Sequence, residues 1–95
     1  MATVFVDGEN VRRSVWPNIP REELEALARA WAADHEHEVV VVWETDVSAD
    51  DWIVENAAAH RPYWLVTSDR ELRRRAGGEA ERVVGGGSFA RELLS

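Results

Sequence analysis

Asp7, Asp50 and Asp69 stand out in this 95-residue chain because of where they fall. Asp7 directly follows an apolar β-type run, Ala2 to Val6. Glu44, Thr45 and Asp46 follow a second run, Glu38 to Trp43, and Asp50 and Asp51 open the helical pattern after it. Ser68 and Asp69 follow a third, Tyr63 to Thr67. In an open parallel α/β sheet, ligands bind outside the carboxyl ends of the strands, where the strand order reverses. Three of four strand ends therefore deliver carboxylates to one edge. Converging carboxylates in a partly dry cleft repel one another, and one protonates unless a cation lies among them. A hard divalent cation on oxygen ligands, Mg²⁺ or Mn²⁺, answers that repulsion while keeping several of its waters. Such an ion lowers the pKa of a bound water and neutralises charge on a phosphodiester, so the pattern points to phosphodiester hydrolysis.

The elements that must position these groups are readable from periodicity. The strand-like runs, including a fourth at Arg82 to Gly85, are continuous rather than alternating. Continuous β-branched runs are buried on both faces, as in a parallel sheet covered by helices. Between them, Arg21 to Asp34 carries Leu24, Leu27, Ala28, Trp31 and Ala32 as one apolar stripe, with Pro20 suited to its first position. Ser48 is placed to cap a helix running to about His60, and Ser68 one ending at Gly77-Gly78. Ser88 is placed to cap a last helix carrying Phe89 and Leu93. At 100° per residue, Asp50 shares a face with Ile53, Val54 and Ala57, and Asp69 with Leu72 and Ala76. Asp51 lies a quarter-turn from that face, where capping is its simpler role.

Each residue has a plainer reading beside this one. Asp at a helix start is most often a cap, and Asp7-Gly8 alone is a turn; three aspartates at one sheet edge favour a site. His35 and His60 fall at helix C-termini, where an imidazolium suits the dipole, and His35-x-His37 without a third ligand is a weak zinc pattern. Gly85 to Gly87 is a tight turn before a helix rather than a dinucleotide loop. Arg73 to Arg75 is a solvated face. Of the five tryptophans, Trp31, Trp43 and Trp64 read as core, whereas Trp16 and Trp52 are free for a dimer contact or an unpaired base.

Composition bounds the rest. One domain, residues 1–95, is all this length allows. With 45% hydrophobic and 31% charged residues the chain reads as globular. No apolar run approaches a membrane span, and the N-terminal stretch lacks the pattern of a signal peptide, so a cytoplasmic location is expected. There is no cysteine, which excludes disulfides, thiol catalysis and thiolate metal sites. All eleven basic residues are arginine. The absence of lysine excludes a Walker A nucleotide loop and Schiff-base chemistry. It also argues against a phosphoacceptor receiver domain, whose pocket relies on one. A net charge of −7 does not suit a protein that coats phosphates unaided.

Four blocks, VFVDGENV (Val4 to Val11), SADDWIVENA (Ser48 to Ala57), VTSDRELRRRAG (Val66 to Gly77) and VVGGGSFARELL (Val83 to Leu94), span nearly the whole chain. In this order they resemble the NYN domain of the YacP-like type, within the PIN-like nuclease superfamily. The resemblance implies a compact, Rossmann-like three-layer α/β sandwich with four parallel strands in the order 2-1-3-4. It also implies a divalent-metal-dependent endoribonuclease, with RNA as substrate and no nucleotide cofactor. Asp7, Asp50 and Asp69 are then the catalytic and metal-binding residues, with Asp51 a second-position ligand. Asn10 matches the last residue of the family's D-G-Y-N motif, with Glu9 in place of the aromatic. Arg12, Ser68 and Arg70 are further candidates to hold phosphate. The chain is shorter than is usual for the family, compressing the segment before the second strand. A catalytically inactive PIN-like module that binds RNA or protein is the alternative expectation.

Overall fold

Runs of valine flanked by helix-forming segments leave the chain one economical arrangement: strands in the middle and helices on both sides. A computed structural model describes all 95 residues. Strands β1 (Thr3–Asp7), β2 (Glu38–Val42), β3 (Tyr63–Val66) and β4 (Arg82–Val84) form one parallel sheet in the order β2-β1-β3-β4. The expected strands, parallel sense and order are all present. β1 lies at the centre, with Thr3 opposite both Glu38 and Tyr63.

The helices are α1 (Gly8–Arg13), α2 (Arg21–Asp34), α3 (Ala49–Ala57), α4 (Arg70–Ala76) and α5 (Gly86–Leu94). Because side chains alternate along β1, the sheet feeds two cores. Val4 and Val6 pack with Val11, Leu24, Trp31, Val66, Phe89 and Leu93, beneath α1, α2 and α5. Phe5 packs with Ile53, Ala57, Leu65, Leu72 and Ala76, beneath α3 and α4. Fully burying a side chain such as Phe5 contributes about 1.5–3 kcal/mol. Trp31 is buried, whereas Trp43 and Trp64, expected in the core, only border it. The chain leaves β1 by one face to reach β2, and returns by the other to reach β3. The reversal of strand order thus lies between the ends of β1 and β3. No helix is long and apolar enough to cross a membrane.

Several local expectations are corrected. α1 is an element that the periodicity does not announce: it has six residues and buries only Gly8 and Val11, too little for a periodic signal. Pro20 stands just before α2 as its cap rather than at its first position. α3 ends at Ala57, and the segment on to His60 continues as a 3₁₀ turn. α4 is capped by Asp69, not Ser68: the Asp69 carboxylate accepts from the Leu72 N–H at 3.0 Å. α5 starts at Gly86, so Ser88 lies inside its first turn and Gly85 is the cap.

Candidate active site

The segments that follow β1, β2 and β3 open onto one cleft of about 530 Å³. It is lined by Asp7, Glu9, Asn10, Arg13, Ser14, Glu44, Asp50, Ser68 and Asp69, and no apolar side chain reaches it. Asp7 comes from the last residue of β1 and is only 6% exposed. It lies on the face of Phe5, towards α3 and α4, and therefore meets Asp50 and Asp69.

Thr67, fully buried at the end of β3, holds Asp7 in place. Its hydroxyl donates to Asp7 Oδ2 at 2.9 Å and accepts from the Asp69 N–H at 3.1 Å. One side chain therefore sets both the buried carboxylate and the turn that caps α4. Sequence reasoning passed over Thr67, which looks like an ordinary β-branched strand residue. Its place one residue beyond Val66, which pairs with Val6, brings it beside Asp7 only once the strands pair.

The opposite wall is held as tightly. Asn10 Oδ1 accepts from the Ser68 N–H at 2.9 Å, and Ser68 Oγ accepts from the Gly86 N–H at 2.9 Å. A Cβ at Gly86 would collide with Asn10 Oδ1, so any larger residue there has to push the Asn10 amide off the Ser68 N–H. At the β1–α1 corner, a Cβ at Gly8 would stand 2.6 Å from the Trp43 ring. Trp43 is fixed in turn by its indole N–H donating to Glu25 at 2.6 Å. Asn10 is therefore committed to the Ser68 backbone and the Ser68 hydroxyl to the Gly86 backbone, tying the ends of β1, β3 and β4 together.

The charges do not balance locally. Burial, opposed by the Thr67 hydroxyl but reinforced by the negative charges of Asp50 and Asp69, raises the Asp7 pKa to about 6; the Asn10 N–H opposes this too. Asp50 is also raised, first by burial, then by Asp69 and Glu44, with Arg75 opposing. Glu44 is engaged as well, accepting from the Ala49 N–H at 3.1 Å at the start of α3. Glu44 was recognised as a strand-end residue but not selected. Its through-space effect on Asp50 appears only in the fold.

Other expected site residues lie elsewhere. Asp51 points out of the cleft: it bonds Arg75 at 2.9 Å, and the Arg75 guanidinium and Ser48 hydroxyl hold its pKa low. Arg12 does not line the cleft, since its guanidinium is spent on the Ile19 carbonyl and Glu9. Arg70 is exposed on the first turn of α4 and does not line it either. Arg13, which ends α1, and Ser14, which caps it, do line it.

The donor chemistry suits a hard cation: four carboxylates besides Glu9, with the amide and hydroxyls beside them, offer oxygen, and the buried Asp7 carboxylate has no positive partner. As the side chains stand, no three His, Asp or Glu are arranged to hold a metal ion directly. The cleft is roomy enough for an ion that keeps its own water, as Mg²⁺ does. Comparison with protein-family models, with curated proteins and with solved structures finds no match to this chain.

Proposed function

We propose that this protein is an endoribonuclease dependent on Mg²⁺ or Mn²⁺, with its reaction centre at Asp7, Asp50 and Asp69. The observation that carries the reading is the meeting of these three aspartates, from three separate elements, at the reversal of strand order, with Asp7 raised to about 6. Nothing in a structural role requires a buried carboxylate to face two others.

Asp7, Asp50 and Asp69 would hold a hydrated ion through their oxygens. When bound, that ion supplies positive charge to the scissile phosphate and makes water a better nucleophile. The protein's own groups do the rest. Thr67 orients Asp7 so that one carboxylate oxygen stays engaged while the other faces the cleft. Asp50, only partly buried and raised by its acidic neighbours, is suited to accept a proton from the attacking water at its carboxylate. Asn10 and Ser68 hold the two walls at a set distance, and Arg13 offers its guanidinium to a phosphate oxygen at the rim.

The test is cleavage of mixed structured and single-stranded RNA with Mn²⁺, with EDTA, and by the Asp50→Asn variant. Cleavage that needs both the metal and Asp50 is expected. Full activity in the variant, or in EDTA, refutes the reading. A module that binds RNA without cutting it is the second reading. It is favoured by the use of Asp69 as a helix cap and by the absence of a direct three-ligand arrangement. Retention of RNA without cleavage, by a folded wild-type protein in Mn²⁺, would select it.

A further inference from the structure

The segment that leaves the cleft at Arg13 carries an unspent aromatic ring. Trp16 is 88% exposed. The other four indoles are all engaged. Trp31, Trp43 and Trp64 donate their N–H to Glu92, Glu25 and Glu81 respectively. Trp52 rests against Phe5 with ring centroids 6.2 Å apart. Trp16 has neither an indole hydrogen bond nor an aromatic neighbour.

Its loop is anchored on both sides, so the ring is displayed rather than trailing. Before it, the Ser14 hydroxyl donates to the Val11 carbonyl at 2.6 Å. After it, the Ile19 N–H donates to the Arg12 carbonyl at 3.1 Å, and Ile19 is buried at 3% exposure. Beside the loop, positive charge gathers around Glu9 in the cleft wall. Glu9 is shared by Arg12 at 3.2 Å, Arg13 at 3.4 Å and Arg21 at 2.7 Å. Three guanidiniums on one carboxylate leave two positive charges in excess, on a chain whose net charge is −7. Arg13 and Arg21 are 68% and 60% exposed, so solvent, and hence a ligand, reaches both guanidiniums while they hold Glu9.

The cleft itself has no apolar lining, so it offers a nucleobase nothing to stack on. A phosphate in the cleft would leave its neighbouring base at the rim. We propose that Trp16 is the stacking platform for an unpaired base of single-stranded RNA, with Arg13 and Arg21 holding the adjoining phosphates. This rests on the reading of the cleft as an RNA site, and it assigns the substrate class: a strand with unstacked bases, since a duplex hides its base faces. An exposed aromatic beside a cationic groove is the combination that single-strand binders use.

The experiment is fluorescence anisotropy with a labelled single-stranded oligouridylate, the same oligomer with abasic sugars, and an RNA duplex. It is run in Mg²⁺ on the Asp50→Asn background to prevent cutting. Trp16→Ala should weaken oligouridylate binding by roughly 5- to 150-fold, the range for loss of one stacked base. Trp16→Phe should recover most of the affinity. Trp16→Ala should leave binding of the abasic oligomer and the duplex unchanged. Equal weakening for normal and abasic oligomers, or no weakening at all, overturns the proposal. So does a wild-type dimer, seen by light scattering, that Trp16→Ala splits without changing RNA affinity. Wild-type cleavage is measured alongside. Cleavage with Trp16-independent binding refutes the platform alone. Trp16- and base-dependent binding without cleavage refutes the nuclease reading alone.

Discussion

Replacing Asp7 with Asn should make the protein more stable and, on the proposed reading, inactive. In metal-free buffer the Asp7 carboxyl titrates near 3.8 when unfolded and at about 6 when folded. Between these values the unfolded chain has released its proton while the folded one still holds it. The folded state therefore binds more protons there, and stability falls as pH rises through the window. Below it, Asp7 is neutral in both states and costs nothing. Above it, the full cost is present: the rise from 3.8 to about 6 corresponds to about 3 kcal/mol. Asn keeps an oxygen to accept the Thr67 hydroxyl, now 2.9 Å from Asp7 Oδ2, and carries no charge to desolvate. Asp7→Asn should thus match the wild type near pH 3.5 and exceed it at pH 7.5 by up to about 3 kcal/mol, or roughly 10–20 °C in Tm for a domain this size. The assay is denaturant unfolding in EDTA across that pH range. A variant less stable than the wild type at pH 7.5, or a difference that does not change with pH, would refute the picture of Asp7 as an uncompensated buried charge.

Thr67→Val, nearly isosteric, removes the hydroxyl from both Asp7 and the Asp69 N–H. It should cost about 1–3 kcal/mol and raise the Asp7 pKa further, which carboxyl-resolved NMR titration would follow. Gly86→Ala would push a methyl group against Asn10 Oδ1, and a cost of about 1–3 kcal/mol is expected in thermal melts. The double variant with Asn10→Ala should cost less than the sum of the two single changes, because the clash is gone; strict additivity would place the strain elsewhere. Ser48→Ala loses the cap that accepts from the Asp51 N–H at 3.1 Å, and about 1 kcal/mol of stability is expected to go with it.

Much of the fold was legible because its signals are local. A valine run declares a buried strand, and the stripe from Leu24 to Ala32 declares a helix that covers a sheet. Continuous strands separated by helical segments leave few topologies besides a parallel one. Capping was legible where one residue competes for the role, as at Ser48. It failed where two neighbours compete: Ser68 and Asp69 are both good caps, and the hydrogen bond from Gly86 to the Ser68 hydroxyl decided between them. α1 was hidden because six residues carry too little pattern.

The chain by itself determined the sheet, the strand ends, and hence which aspartates stand at one edge. Alternation along β1 and helical spacing from Asp50 are properties of the backbone that any folded version must obey. Only the tertiary structure decided what each carboxylate experiences there. Asp7 is dry and faces Asp50 and Asp69, while Asp51, one residue along, is neutralised by Arg75, a partner 24 positions away. Thr67 reaches Asp7 across 60 positions, and Glu9 gathers Arg12, Arg13 and Arg21 from two helices. Burial and Coulomb interaction act through space, so the ionisation of a carboxylate belongs to its neighbours in the fold rather than to its neighbours in the chain.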